Sequence, residues 1–213
     1  MPNSEIKVLL VDDHAVVRNG LRVMLGSAKD INVANEAESA DEALQLVRAE
    51  RFDVVLLDIA MPDKNGLELL KTLRIEKPRL AVLILSMYSE EMYALRALKL
   101  GAAGYLPKNS PGPTLISAVR KAAAGGKYIS PGIADQLARM LAGDGGSEFD
   151  ALSDRELEVL KLLAGGESTT GIADALSLSA STVATYRTRI CDKLKLKNNA
   201  DLTRYALVNG LLL

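Results

Sequence analysis

Residues 6–13 read IKVLLVDD, and three later stretches repeat the same order of an apolar run closed by a polar group: FDVVLLD at 52–58, LAVLILS at 80–86 and AGYLPK at 103–108. Near-continuous apolar runs of this length, separated by stretches of helical periodicity, read as parallel strands buried on both faces. Strictly alternating strands and helices give a doubly wound α/β sheet. Ligands of such sheets gather outside the carboxyl ends of the strands. Asp12, Asp13, Asp58, Ser86 and Lys108 each follow such a run, so they are expected to converge at one edge. Singly, each would only mark where a strand leaves the core, since polar residues prefer the surface; jointly they describe a site.

Clustered carboxylates repel one another and raise one another's pKa, so a cation is expected among them. An all-oxygen donor set with open positions suits Mg²⁺, which keeps waters and bridges to phosphate oxygens. Asp58 is then placed to act as a nucleophile toward phosphorus. Lys108 would balance charge on the transferred group and Ser86 would donate a hydrogen bond to it. The run DIAMPDKNG at 58–66 puts Pro62 and Gly66 in the loop after the acid, where turn chemistry favours them.

The pair Asp12-Asp13, Asp58 with Met61-Pro62 and Gly66, then Ser86, then Tyr105 followed by Pro107-Lys108, resembles the receiver domain of bacterial two-component response regulators. The resemblance implies a five-stranded, flavodoxin-like sheet of order 2-1-3-4-5. It also implies that Asp58 accepts a phosphoryl group from the phosphohistidine of a sensor histidine kinase. Mg²⁺ would be held by Asp13, Asp58 and the backbone carbonyl of Ala60, with Asp12 acting largely through water. Ser86 and Tyr105 would form the switch, Tyr105 swinging inward on phosphorylation.

With 213 residues, one or two domains are expected, each with its own core. The content of 48% hydrophobic and 25% charged residues is that of globular proteins rather than disordered chains. The single cysteine, Cys191, excludes an internal disulfide framework and reads as packing. No apolar stretch approaches the length of about 18 residues that a membrane span needs, and the N-terminal residues lack signal-peptide order. A cytoplasmic protein without membrane association is expected.

The elements expected are strands at 6–11, 31–36, 53–58, 80–85 and 103–106, with helices near 14–27, 40–50, 65–76, 89–100 and 112–125. A further helix at 131–142 precedes the flexible run GDGGS at 143–147. This divides the chain into a receiver at 4–127, a linker at 128–149 and a helical domain at 150–213. In the last, Ser153 and Glu156 fit a capping box, with Leu152 and Leu157 as its hydrophobic staple. Leu157, Leu160, Leu163 and Ala164 give one apolar face until Gly165-Gly166. A helix at about 169–176, a turn at 177–179 and a helix from Ser179 to about Leu194 describe a helix-turn-helix, and a fourth helix runs from about Asn199 to Val208.

On the third of these helices Val183, Ile190 and Leu194 share the inner face, with Tyr186 on its flank. Ser181, Thr182, Ala184, Thr185, Thr188 and Arg189 belong to the portion that would enter a DNA major groove. Net charge is −1 overall, yet between 187 and 197 five bases (Arg187, Arg189, Lys193, Lys195, Lys197) face one acid, Asp192, leaving four positive charges. Lys193, Lys195 and Lys197, further along the helix, suit phosphate contacts, as does Arg187.

The motifs LSDRELEVL, IADAL and SASTVATYRTRICDKL are similar to those of LuxR-type helix-turn-helix domains, and the two halves together resemble the NarL/FixJ group of response regulators. That resemblance implies a transcriptional regulator rather than an enzyme. Its partners would be double-stranded promoter DNA, RNA polymerase and, on phosphorylation, a second copy of itself. Leu202, Tyr205 and Ala206, together with Leu207, on the helix at 199–208 are the expected dimer contacts. The small groove-facing groups Thr185 and Thr188 point to modest direct readout, with DNA shape contributing. An aspartate-nucleophile phosphatase would share the acids, but such enzymes place a second aspartate where this chain has Ala60. A regulator that does not bind DNA is the other alternative, and the basic stretch weighs against it. His14 is assigned no role.

Overall fold

The computed structural model describes residues 5–61, 66–87, 90–142, 151–176, 178–209 and 211–212. Pro62, the glycine-rich run at 143–147 and Ser177 lie outside the described residues. The chain divides into two compact units, meeting between Ala138 and Arg139.

In the first unit, strands β1 (Ile6–Val11), β2 (Ile31–Ala37), β3 (Val54–Asp58), β4 (Ala81–Ser86) and β5 (Gly104–Pro107) form one parallel sheet of order β2-β1-β3-β4-β5. Every residue of β3 is buried, as a central strand covered on both faces requires. Helices α1 (Ala15–Gly26), α2 (Ala40–Ala49), α3 (Gly66–Glu76), α4 (Glu90–Lys99) and α5 (Gly112–Ala123) alternate with the strands. Leu21 and Leu25 of α1 and Leu115, Ala118, Val119 and Ala122 of α5 close over Val8, Leu10, Val54, Leu56, Leu83, Leu85 and Leu106. The alternate strand residues Leu9, Val55, Leu57, Val82 and Ile84, equally buried, project to the opposite face.

The register brings the site residues together. Val11 pairs with Ala37 and Leu57, Asp58 with Leu85, and Ser86 with Pro107, so the carboxyl ends of β1, β3, β4 and β5 finish side by side. β4 extends through Ser86, which therefore lies in the strand rather than just after it.

The chain after α5 stays attached to the sheet. Tyr128 donates its N–H to the Ala103 carbonyl at 2.7 Å and forms a single parallel bridge to Gly104, where the sequence placed the start of a linker. Gly104 makes this approach possible: a Cβ there would stand 2.6 Å from the Tyr128 carbonyl oxygen and 2.9 Å from its Cβ. Helix α6 (Pro131–Leu141) follows, with Ile133 buried, and the boundary between the units falls within it.

The second unit contains α7 (Asp154–Ala164), α8 (Thr169–Ala175), α9 (Ala180–Leu194) and α10 (Asn199–Val208). The expected capping box is present: the Ser153 hydroxyl accepts from Glu156 N–H and the Glu156 carboxylate accepts from Ser153 N–H at 2.7 Å. Ser168, Ser179 and Asn198 cap α8, α9 and α10 through their side chains. Leu152, Leu157, Leu160, Leu163, Ile172, Val183, Ile190, Leu194, Leu202 and Ala206 are buried as its core.

Gly104→Ala is expected to destabilise the first unit by about 1–3 kcal/mol, the usual cost of overpacking, and to accelerate hydrogen exchange at the Tyr128 amide. Unchanged protection of that amide in exchange measured by mass spectrometry or NMR would contradict the steric argument.

Candidate functional site

The sheet's carboxyl edge gathers the acids around one ammonium. Lys108, its backbone N–H donating to the Ser86 carbonyl at 2.8 Å, sends its Nζ to within 2.7 Å of both Asp12 Oδ2 and Asp58 Oδ2. All three groups are nearly inaccessible: the side chains are 8%, 2% and 1% exposed. The other Asp58 oxygen, Oδ1, accepts from the Ala60 N–H at 3.1 Å, so Ala60 touches the acid through its amide. Burial pushes the Asp58 carboxyl above its ordinary range, and the Lys108 hydrogen bond and charge offset this only in part. Burial would lower the Lys108 ammonium, but the carboxylates of Asp12 and Asp58 beside it outweigh burial and raise the group.

Asp12, Asp13, His14 and Asp58 each offer a ligand atom, all within 4.8 Å of one another. Asp12 Oδ1 accepts from the His14 N–H at 2.9 Å, and His14 Nδ1 lies 2.8 Å from Asp13 Oδ1. Asp12 Oδ2 and Asp13 Oδ1 are buried atoms facing cationic or imidazole nitrogen without an aligned hydrogen bond. A carboxylate-rich donor set with such under-satisfied oxygens fits a hard divalent cation. His14, given no role from sequence, is thus in contact with both acids. Gly66 closes the loop after Asp58, donating to the Ile59 carbonyl at 3.0 Å; a Cβ on it would fall 2.1 Å from the Asp58 carbonyl oxygen.

Ser86 and Tyr105 are both fully buried. Tyr105 therefore already occupies the interior, and the expectation that it starts outward does not hold for this conformation.

In the second unit, α9 exposes Ser181, Ala184, Thr185, Thr188 and Arg189, with Thr182 and Arg187 partly covered. The Thr185 and Thr188 hydroxyls bond back to the carbonyls of Ser181 and Ala184, one turn earlier. Lys195 caps the helix in the left-handed conformation, φ 54°, and is exposed, as is Lys197. Two of the expected phosphate-contacting bases have partners within the unit. Arg187 Nε donates to Asn199 Oδ1 at 2.8 Å, and Lys193 Nζ donates to the buried Glu156 carboxylate at 2.6 Å.

The dimer contacts expected on α10 need correction. Leu202 and Ala206 are wholly enclosed in their own unit, where α10 packs on α7, and so offer nothing to a second copy. A helical period marks an apolar face without telling a domain's own core from an interface. Outward on α10 stand Leu207 and Val208, 61% and 80% exposed, with Tyr205 half-buried.

Comparison with known proteins agrees with both halves of this geometry. Residues 8–120 match the response regulator receiver domain, and residues 150–206 match the luxR family of bacterial regulatory proteins. The chain belongs to the response regulators. As a DNA-binding transcriptional regulator of the two-component type, it joins a receiver to a LuxR-type helix-turn-helix. It is 37% identical to response regulator GacA of Pseudomonas aeruginosa, over 97% of each chain. It is 38% identical to the oxygen regulatory protein NreC of Staphylococcus carnosus, covering 97% of this chain and 99% of NreC. Among solved structures it is similar, at a TM-score of 0.73 and 27% identity over 94% of this chain and 98% of the other, to Salmonella enterica RcsB bound to promoter P1flhDC in the presence of the phosphomimetic BeF3⁻. Among the described residues of this response regulator no helix is long and apolar enough to cross a membrane.

The Lys193–Glu156 pair ties the basic helix to the start of α7, and it carries a pH signature. Burial would raise the Glu156 carboxyl, but hydrogen bonds from Lys193 and Ser153 outweigh burial and hold it below the usual range. A depressed carboxyl contributes stability that is present above its unfolded value, about 4.3, and is lost as pH falls through the lower folded value. Thermal unfolding followed by circular dichroism should therefore show the helical unit weakening on acidification, less steeply in Lys193→Met. Ser153→Ala should cost about 1 kcal/mol. An acid response identical in wild type and Lys193→Met would remove the pair from this account.

Proposed function

We propose that this response regulator accepts a phosphoryl group on Asp58 from the phosphohistidine of a sensor histidine kinase, and that the adduct switches promoter binding by the helix-turn-helix. The observation that carries the reading is the Lys108 ammonium held 2.7 Å from both Asp58 and Asp12, beside Asp13, at the carboxyl edge of the sheet. Residues 4–127 act as the receiver, 128–149 as the connection and 150–213 as the DNA-binding domain on this reading.

Asp13 and Asp58, with the Ala60 carbonyl and Asp12 through water, would hold Mg²⁺, which supplies charge neutralisation for phosphoryl oxygens. The Asp58 carboxylate attacks phosphorus; a P–O bond forms as the P–N bond to the kinase histidine breaks, and that histidine leaves with the bonding pair. Lys108 remains beside the new acyl phosphate and offsets its charge, while the Ser86 hydroxyl donates to a phosphoryl oxygen. Tyr105, next to β4 at the β5 register position of Ile84, is fully enclosed here. Phosphorylation on this reading selects that enclosed arrangement from a mixture rather than creating it.

Ser181, Thr182, Ala184, Thr185, Thr188 and Arg189 would face the major groove, and Lys195 and Lys197 the phosphates. Arg187 and Lys193 contribute by shaping the helix's surroundings through Asn199 and Glu156. Dimerisation through the outward side of α10, with Leu207 and Val208 beside Tyr205, would engage two half-sites and multiply a weak single contact. RNA polymerase is the expected downstream partner.

Asp58→Asn should retain the fold while losing phosphoryl incorporation and phosphodonor-dependent DNA binding; mass spectrometry that locates the adduct on another residue of the wild type would overturn the assignment. For the DNA interface, Lys195→Ala and Lys197→Ala should weaken binding across all sequences. Each should reduce the slope of log affinity against log salt by about one. A slope identical to wild type would exclude phosphate contact.

A further inference from the structure

Arg18 stands one turn into α1 and outside the acid cluster, yet its guanidinium is directed at the cluster's backbone. Nη1 donates to the Asp12 carbonyl at 2.6 Å, and Nε donates to Glu36 Oε2 on β2 at 3.1 Å. The side chain is only 14% exposed and Glu36 is 23% exposed, so the fork is sheltered by the strands it joins. Arg22 Nη1 holds the other Glu36 oxygen at 3.0 Å.

The Asp12 carbonyl is half of the peptide group whose N–H belongs to Asp13. Peptide planarity means that fixing this oxygen fixes the plane and hence the direction in which the Asp13 Cα leaves it. Asp12 is also held by its N–H to the Ala37 carbonyl at 3.1 Å and by the His14 N–H on its Oδ1 at 2.9 Å. The first contact holds the peptide before Asp12 and the second the peptide after Asp13; Arg18 grips the carbonyl of the peptide between them. Glu36, shared between Arg18 and Arg22, offsets part of their charge, so the clamp opposes a cation less than an unpaired guanidinium would.

We propose that Arg18 is a positioning residue for cation binding, orienting the Asp13 carboxylate through the Asp12–Asp13 peptide plane with Glu36 as its anchor. This rests on the reading of Asp13 as a cation ligand. Partners that orient metal ligands typically alter affinity by about 10–100-fold when removed. Titration of the full-length chain with MgCl₂, by calorimetry or through the Asp13 amide resonance, should show roughly tenfold weaker binding in Arg18→Met. Arg18→Lys, which keeps one donor, should recover part of that loss.

Labelling by a small acyl-phosphate donor should show the same displacement in half-saturating Mg²⁺, with the rate at saturating Mg²⁺ close to wild type. Unchanged Mg²⁺ affinity in folded Arg18→Met, or a loss of maximal rate at unchanged affinity, would overturn the assignment. Should Arg18→Met not fold, Glu36→Gln carries the test by the same titration, with weaker binding expected and wild-type affinity overturning it. Absence of Mg²⁺ binding by the wild type would instead defeat the underlying reading of the acid cluster, and Arg18's role with it.

Discussion

An ammonium enclosed between two carboxylates is the constraint on which the first unit turns. Three acids, Asp12, Asp13 and Asp58, converge where the parallel strands finish, and the Lys108 charge offsets one of them. With one positive against three negative charges, the pocket retains an excess of about two when all are ionised. Burial makes that excess costly in the absence of a counterion, as the upward displacement of the Asp58 carboxyl indicates. The same imbalance makes the pocket receptive to a divalent cation and leaves its electrostatics sensitive to a further charged group. The sheet supplies the rigidity that such a site needs, because its acids are attached to strands packed on both faces.

The second unit solves a different problem by similar means. Its basic helix must present an exposed face while its inner face stays fixed, and Val183, Ile190 and Leu194 alone would leave it free to slide. Glu156 limits that freedom by serving both the capping box of α7 and the ammonium of Lys193. A buried carboxylate is expensive to disrupt, since removing its ammonium partner leaves its own charge uncompensated. The cap of one helix therefore helps to place another.

Most of the sheet was legible from residue order, because strands buried on both faces have few compatible readings. IKVLLV and VVLLD match β1 and β3 closely, and the strand ends elsewhere moved by about one residue, as boundaries generally do. The convergence of Asp12, Asp13, Asp58 and Lys108 followed from the same pattern. Contacts between residues distant in sequence were not legible: nothing in the spacing of Arg18 and Glu36, or of Glu156 and Lys193, announces a pair. Leu202 and Ala206 failed for another reason. Their periodicity identified a buried stripe correctly, while the choice between burial in the domain and burial between two copies required the position of α7.

The attachment of Tyr128 to β5 bears on the solubility of the molecule. β5 is an outermost strand, and unpaired amides and carbonyls along such a border can template addition of a foreign strand. Here the chain's own continuation occupies part of that border, through a contact that depends on glycine at 104. The absent side chain at this position thus leaves less of that border open to a foreign strand, although it takes no part in the chemistry of the acids.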